Sequence, residues 1–274
     1  MFLFRWSAHL GRRVLNVAKY TFSIWTMVYV SLRTGLRQNK ERGSIEILKV
    51  VAAQIYFTGV QALPLMSVLA LVTGTLIVIQ ASAQLSKVGG GDLLGNLLVV
   101  MIIRELGPLM TALVVVARSG TAVASELGNM KVNHEMEVLE SMGIDPLSYI
   151  VFPRLAGGMI SVVCLALYFC AVALLGGWLM SQLVHPIAFS YFLDSVANAV
   201  SRADAFLFLL KNVFSGGMIF TICCYQGLTV KNSFTEVPQV TTKAVVNSIL
   251  YTVSFNSLVS MIVYLKDLRE LGIL

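Results

Sequence analysis

The chain has 274 residues, of which 57% are hydrophobic and 12% are charged, and its formal net charge is +6. Soluble domains carry about twice that share of charged residues, so the composition excludes a soluble protein and indicates an integral membrane protein. The apolar runs are continuous rather than alternating, which predicts membrane-spanning helices instead of a barrel. The basic excess accompanies no nucleic-acid-binding pattern, so nucleic acid is excluded as a partner.

The first 55 residues combine aromatic and basic side chains. Residues 20–32 are apolar but too short to span a bilayer. Aromatic rings beside basic groups are typical of an interfacial amphipathic helix, which we predict here. A short helix buried against the other helices is the alternative. A basic polar connector follows, with a helix expected after Gly43, and we treat 1–55 as one unit.

A membrane domain is predicted over 56–265, followed by a short tail at 266–274. Its apolar segments predict five transmembrane helices, near 58–84, 95–125, 148–183, 205–229 and 244–265. A cytoplasmic N-terminus places 13 Lys and Arg residues on the cytoplasmic side and four on the other. Basic residues concentrate in cytoplasmic loops, so we predict a cytoplasmic N-terminus and a periplasmic C-terminus.

Three ionisable residues lie inside the apolar runs 97–117 and 205–230: Arg104, Glu105 and Lys211. Such groups are costly in a membrane and usually face a bundle interior or a water-filled cavity. If they share one cavity, Glu105 offsets part of the positive charge, and the remainder suits an anionic lipid headgroup. The alternative is that all three snorkel to the outer boundary. Gly107 and Pro108 predict either a bend that shapes this cavity or a kink that serves packing.

Gly120, Ala124 and Gly128 recur every four residues. A stripe of small residues lets two helices approach closely, either within one chain or between two copies. The spacing alone leaves both possibilities open.

A charged segment between the second and third apolar segments predicts a short helix over about 134–142. Asn133 suits the N-cap position, and an acidic first turn complements the positive end of a helix. Gly143 suits a left-handed C-terminal cap.

A two-turn helix is not stable alone, so something must hold it. Met136, Leu139 and Met142 recur on one face. This face indicates either an amphipathic loop on the membrane or a plug that docks into a groove on a cytoplasmic protein. For the second case, the expected contact residues are Glu126, Asn133, Glu135, Met136, Leu139, Glu140, Met142 and Gly143.

No pattern indicates catalysis. The three histidines are scattered, and the four cysteines lie within apolar runs, without metal-ligand or disulfide spacing. The chain also lacks a Gly-Lys-Ser/Thr phosphate loop. We therefore expect no catalytic residue, metal or cofactor in this chain.

Four motifs in the central block resemble the MlaE/YrbE permease family: Arg104-Glu105-Leu-Gly-Pro108, Ala117-Arg118-Ser-Gly120, Ser125-Glu126-Leu-Gly128 and Glu140-Ser-Met-Gly143-Ile-Asp145-Pro146. The resemblance extends over roughly 45–265. It implies the membrane subunit of an ABC transporter that moves phospholipid or a related lipid between the inner and outer membranes of bacteria. ATP would bind a partner chain, and the short helix would be the coupling helix.

The resemblance also implies a second copy of the chain, a cytoplasmic ABC ATPase dimer and a periplasmic MCE-domain protein, and it leaves room for a small cytoplasmic regulatory subunit. We expect lipid in a dimer cavity lined by helices 1, 2 and 5, with Arg104, Glu105 and Lys211 near its outer mouth. The alternatives are a membrane scaffold or ATPase regulator without a lipid path, an ion-coupled lipid carrier, and an intramembrane enzyme.

Overall fold

The computed structural model describes residues 21–24, 26–31, 33, 44–88, 94–184, 188–231 and 233–270. Within this part of the chain every regular element is a helix, which confirms the all-α prediction. Five of these helices are long and apolar enough to cross a membrane, and we call them spans 1 to 5: Leu48–Ala83, Gly95–Val132, Leu147–Leu183, Arg202–Leu228 and Glu236–Lys266.

The helices are numbered in chain order. Span 1 is built from α1, Ser44–Thr58, and α2, Leu63–Val88, and span 2 lies in α3, 94–132. The remaining helices are α4 (Glu135–Ser141), α5 (147–184, span 3), α6 (Phe189–Ala199), α7 (Arg202–Leu228, span 4) and α8 (Glu236–Glu270, span 5). Consecutive spans run in opposite directions. The bundle therefore has a short-helix end, where α4 lies, and an opposite end, where α6 lies.

Two spans begin earlier than the hydropathy predicted. Span 1 starts at Leu48, inside the segment assigned to the N-terminal unit, and span 5 starts at Glu236 rather than 244. The carboxylate of Glu236 accepts a hydrogen bond from the backbone N–H of Lys231 at 3.0 Å, which fixes the start of α8. Hydropathy detects only the apolar part of a helix, whereas these helices continue through polar residues.

The predicted N-terminal interfacial helix falls mostly outside the described residues. Its described part, 21–24 and 26–31, is helical. Ile24 is buried, and Met27 and Val28 pack against the core of the bundle. The described residues thus contact the other helices, as in the alternative considered above, and the interfacial position stays a prediction.

Regular α-helix is interrupted in spans 1 and 2. Span 1 breaks at Gly59 and passes through the short 3-10 turn Val60–Ala62. Span 2 contains two π-helical segments, Val99–Leu106 and Val116–Gly120. π-Helical turns are rare and occur frequently at functional sites. The first of these segments contains the predicted ionisable pair.

Small residues bring the backbones of neighbouring spans into contact. A Cβ atom on Gly74 would lie 2.0 Å from the carbonyl oxygen of Ala173, so spans 1 and 3 tolerate no side chain there. A Cβ on Gly120 would lie 3.0 Å from Cys223 Sγ, and one on Gly227 would lie 2.8 Å from the carbonyl oxygen of Ala124. Gly120 and Ala124 of the predicted stripe therefore pack within the chain against span 4, and Gly128 packs against Val230 and Val237.

Burial is unequal among the spans. About half of the most apolar stretch is buried in span 2 and 56% in span 4, compared with 28% in span 1 and 17% in span 5. Spans 2 and 4 form the centre of the bundle, and one side of spans 1 and 5 remains open. Exposed apolar surface is ordinary in a membrane because lipid tails cover it.

Candidate functional site

Five polar residues from three spans meet near the α6 end of the bundle. Arg104 and Glu105 lie in the first π-helical segment of span 2, Asp204 and Lys211 in span 4, and Ser260 in span 5. We call these five residues the charged cluster. The structure thus brings together all three ionisable residues that the sequence singled out.

Lys211 is the centre of the charged cluster and is almost fully buried. Its Nζ donates to the carbonyl oxygen of Arg104 at 2.7 Å, to Ser260 Oγ at 2.8 Å and to Glu105 Oε1 at 3.3 Å. The Ser260 hydroxyl donates in turn to Glu105 Oε2 at 2.8 Å. All three donors of the ammonium group are therefore used, and the bonds join spans 2, 4 and 5.

Pro108 explains why the Arg104 carbonyl is available to Lys211. In a regular α-helix this carbonyl accepts from the N–H of the fourth residue onward, which is Pro108 and has no N–H. A carbonyl freed in this way inside a membrane needs another donor. The Lys211 ammonium at 2.7 Å supplies it.

Asp204 belongs to the charged cluster although the sequence analysis did not select it. It is buried, and its Oδ1 lies 2.5 Å from Arg104 Nε. With two cations and two carboxylates, the formal charges of the cluster cancel. The predicted residual positive charge at Arg104 and Lys211 is therefore wrong. Glu105 balances one of the two positive charges, and Asp204 balances the other.

A local pattern could have identified Asp204. Ser201 and Asp204 have the spacing of a capping box, and the structure contains that motif, with Asp204 Oδ2 accepting from the backbone N–H of Ser201 at 2.9 Å. The sequence analysis began the fourth apolar segment at 205 and left Asp204 in the preceding loop. A capping carboxylate one turn before buried residues is well placed to meet a cation from another span.

A cavity of about 510 Å³ adjoins the charged cluster. Its walls come from spans 1, 2 and 5, and they include Glu105, Met101 and Tyr264. Gly107 and Pro108 do not line it, since both are buried inside the bundle, and a Cβ on Gly107 would lie 2.6 Å from Cys170 Sγ. The prediction that these two residues line the cavity or its rim is thus wrong, and they serve packing behind it.

The short helix forms close to the predicted position, over Glu135–Ser141, but its N-cap is not the predicted residue. Asn133 is the C-cap of the preceding segment Thr121–Val132, and the N-cap is His134 with φ +59°. The chain therefore turns through a left-handed residue between the two helices. Asn133 still contacts the first turn, since its Nδ2 donates to Glu135 Oε1 at 3.3 Å.

The C-terminal cap of α4 agrees with the prediction. Gly143 has φ +73°, its N–H donates to the Glu140 carbonyl at 2.9 Å, and the N–H of Ile144 donates to the Leu139 carbonyl at 3.0 Å. These two bonds form a Schellman motif, which satisfies carbonyls that the helix end leaves without donors.

We predict that Gly143→Ala destabilises the α4 turn by about 1 kcal/mol, because a Cβ makes the left-handed conformation unfavourable. No atom would lie within 4 Å of that Cβ, so steric clash contributes nothing. Thermal unfolding of the solubilised protein measures the effect. The matched control is Gly217→Ala, where the nearest atom would lie at 3.8 Å and no loss is expected. Equal losses in both variants contradict the conformational explanation.

The predicted apolar face of α4 is divided between two environments. Met136 is 4% exposed and belongs to the core of the bundle, and Leu139 packs against that core. Met142, in contrast, is 67% exposed, and Val138 is 56% exposed. The interpretation of Met136 as part of a docking plug is therefore wrong, because the bundle itself holds it, and Leu139 is only partly accessible. The exposed apolar surface consists of Val138 and Met142.

Ion pairs surround the short helix. Glu126 Oε1 lies 2.8 Å from Nη2 of the buried Arg154, which joins the end of span 2 to the start of span 3. Glu137 pairs with His134 and, at 3.4 Å, with Lys131. The hydrogen bond with His134, followed by the nearby positive charges, lowers the pKa of the Glu137 carboxyl below its usual value. Glu135 and Glu140 are exposed.

The cysteines contribute packing. Cys170, Cys223 and Cys224 are buried thiols, and Cys164 is an exposed one. The described residues contain no group of three side chains suited to holding a metal ion.

Comparison with known proteins places most of the chain in one family. The family described as "Permease MlaE" matches residues 51–262, which covers all five spans except the first few residues of span 1 and the last few of span 5. The match includes the charged cluster and the short helix.

Relatives from several bacteria are similar along most of their length. A "Probable ABC transporter permease protein" of Rickettsia felis is 27% identical over 92% of this chain and 95% of its own length. One of Synechocystis sp. is 30% identical over 77% of this chain and 80% of its own. The "Intermembrane phospholipid transport system permease protein MlaE" of Haemophilus influenzae is 28% identical over 78% of this chain and 83% of its own.

Proposed function

This chain belongs to the MlaE permease family, and from that premise we propose that it is the membrane subunit of an ATP-driven transporter that moves phospholipid or a related lipid between two bacterial membranes. The name of the Haemophilus relative states phospholipid transport between membranes. The observation that carries the proposal for this chain is the 510 Å³ cavity beside the charged cluster. A membrane-embedded cavity with one charged edge suits an amphipathic lipid.

We propose that a second copy of the chain completes this cavity. Its walls come from spans 1, 2 and 5, and spans 1 and 5 are the least buried of the five. A second copy placed against that side would cover the open face and enclose the cavity between the two chains. Glu105 would then stand at one end of the enclosed space, with the buried Lys211 bonded behind it.

The energy source belongs to a partner in this proposal. The chain has no phosphate-binding loop, so a cytoplasmic ABC ATPase dimer would bind ATP and act on the short-helix end. That end then faces the cytoplasm, the N-terminus is cytoplasmic and the charged cluster lies toward the periplasm, as the distribution of basic residues favours. The membrane is the bacterial inner membrane, and an MCE-domain protein would receive or deliver lipid at the periplasmic end.

Reconstitution tests the transport function. The chain would be purified with its ATPase from bacterial membranes, and co-purified lipid would be identified by mass spectrometry. In proteoliposomes, labelled phospholipid should leave the bilayer only when ATP is hydrolysed. A complex that binds no lipid and moves none supports the scaffold alternative. Transfer that continues without ATPase and requires an ion gradient supports the ion-coupled carrier.

We predict that the exposed apolar surface of α4 contacts the ATPase and couples ATP hydrolysis to transport. Val138→Asp combined with Met142→Asp should weaken ATPase co-purification at least tenfold, because two charges replace the apolar contact surface. Both side chains are exposed in the chain itself, so its fold should be unaffected. Quantitative pull-down with the tagged ATPase measures the loss.

The control for this double substitution lies at the opposite end of the bundle. Leu193 on α6 is similarly exposed, and Leu193→Asp should leave ATPase binding unchanged. If the α4 double variant binds the ATPase as well as the unmodified chain does, the coupling role of α4 is wrong.

A further inference from the structure

Arg118 lies closer to the midpoint of span 2 than Arg104 does. It is fourteen residues from Arg104 along span 2, which corresponds to about 21 Å of helix. From the midpoint of Gly95–Val132, Arg118 is only about 7 Å away. With span 2 centred in the bilayer, whose hydrocarbon core is about 30 Å thick, this arginine would lie inside that core. An arginine at that depth is costly, and such residues are usually functional.

The contacts of Arg118 are with uncharged groups of span 1. Its Nη1 donates to the carbonyl oxygen of Phe57 at 2.9 Å, and its Nη2 donates to Gln61 Oε1 at 2.8 Å. The guanidinium carbon lies 5.3 Å from the centre of the Phe57 ring. The Phe57 carbonyl belongs to the last turn of α1, where the break at Gly59 removes the regular helical donors. Arg118 therefore connects the break in span 1 to the second π-helical segment of span 2.

The charge of Arg118 is not compensated by the described part of the chain. The charged cluster balances two cations with two carboxylates, and Arg154 is paired with Glu126. Arg118 has only neutral partners among the described residues. A guanidinium has five N–H donors, so two hydrogen bonds leave others for an anion. Arg118 itself is half-buried, while the adjacent Ala117 and Gln61 are exposed.

We infer that Arg118, together with Gln61, binds the phosphate of a phospholipid at mid-depth, as a second headgroup site between the charged cluster and the short-helix end. The inference rests on the proposed lipid function. Guanidinium groups bind phosphate through paired, charge-assisted hydrogen bonds. The site lies on spans 1 and 2, which also provide walls of the 510 Å³ cavity. A headgroup leaving the neutral cluster would thus meet a net positive charge about 21 Å further along span 2.

Photo-crosslinking to radiolabelled phosphatidylglycerol tests this site in the full-length chain. Benzoylphenylalanine would replace Ala117, beside Arg118, or Met101, in the wall of the cavity. Arg118→Gln should reduce crosslinking at position 117 about tenfold and leave crosslinking at position 101 unchanged. Arg118→Lys keeps the positive charge and should retain most of the crosslinking at position 117. Inorganic phosphate in excess should not compete.

The outcomes separate this inference from the proposed function. Crosslinking at 101 without crosslinking at 117 overturns the second site and leaves lipid transport standing, whereas failure at both positions counts against the lipid function itself. If Arg118→Lys loses as much crosslinking at 117 as Arg118→Gln, and both lower the unfolding temperature equally, Arg118 is only a brace for span 1. Competition by inorganic phosphate identifies a site for free anions and overturns the assignment to lipid.

Discussion

Asp204→Ala should destabilise the folded chain by about 3 kcal/mol or more. The carboxylate is buried, and its removal leaves the Arg104 guanidinium without its charge partner in a poorly solvated site. Breaking one side of a buried ion pair costs about 3–5 kcal/mol. The low end applies because the Arg104 side chain is still 22% exposed. Loss of the capping box at the start of α7 adds about 1 kcal/mol. Denaturant unfolding in micelles measures the total.

Two further variants divide this effect into its parts. Asp204→Asn keeps a capping oxygen and removes only the charge, so it isolates the ion pair. Arg104→Leu combined with Asp204→Leu removes both charges and should recover much of the stability, since apolar residues replace buried pairs well. Asp194→Ala, on the exposed face of α6, is the matched control and should have little effect. If Asp204→Ala lowers the free energy of unfolding no more than Asp194→Ala does, the ion pair does not contribute to stability.

Sequence patterns predicted the membrane class and the five spans because these depend on local composition. Runs of apolar residues long enough to cross a bilayer have few alternatives to a transmembrane helix. The Gly143 cap was also predictable, because a left-handed turn depends on one residue and its immediate neighbours. The helix after Gly43 was also predicted, and α1 begins at Ser44. The polar start of α8 was missed, because a helix that continues past the membrane has no apolar signal there.

The charged cluster shows why the site could be predicted only in part. Intramembrane charge identified Arg104, Glu105 and Lys211 from the sequence alone. The capping box could have pointed to Asp204, but which residues Asp204 and Ser260 contact depends on the packing of different spans, so these pairings could not be assigned. The docking interpretation of the apolar face of α4 was partly wrong for the same reason. Helical spacing identifies an apolar stripe, but it does not say whether the chain or a partner covers it.

Lys211→Met should reduce lipid transfer at least tenfold and destabilise the chain by about 3 kcal/mol. The substitution removes the Lys211 donor to the Arg104 carbonyl, to which Pro108 has no N–H to donate. It also leaves the Glu105 carboxylate with Ser260 as its remaining hydrogen-bond donor among the described residues. ATP-dependent transfer from proteoliposomes and denaturant unfolding measure the two effects. Lys243→Met, at an exposed position of span 5, should change neither.

Combining Lys211→Met with Glu105→Gln distinguishes a structural role from a functional one. The double variant has no unpaired carboxylate, so its stability should recover by more than 1 kcal/mol relative to Lys211→Met, and the two substitutions should not be additive. Lipid transfer should nevertheless stay low, because the charged edge of the cavity is lost while the fold is restored. Transfer that returns in parallel with stability would show that the cluster only holds spans 2, 4 and 5 together.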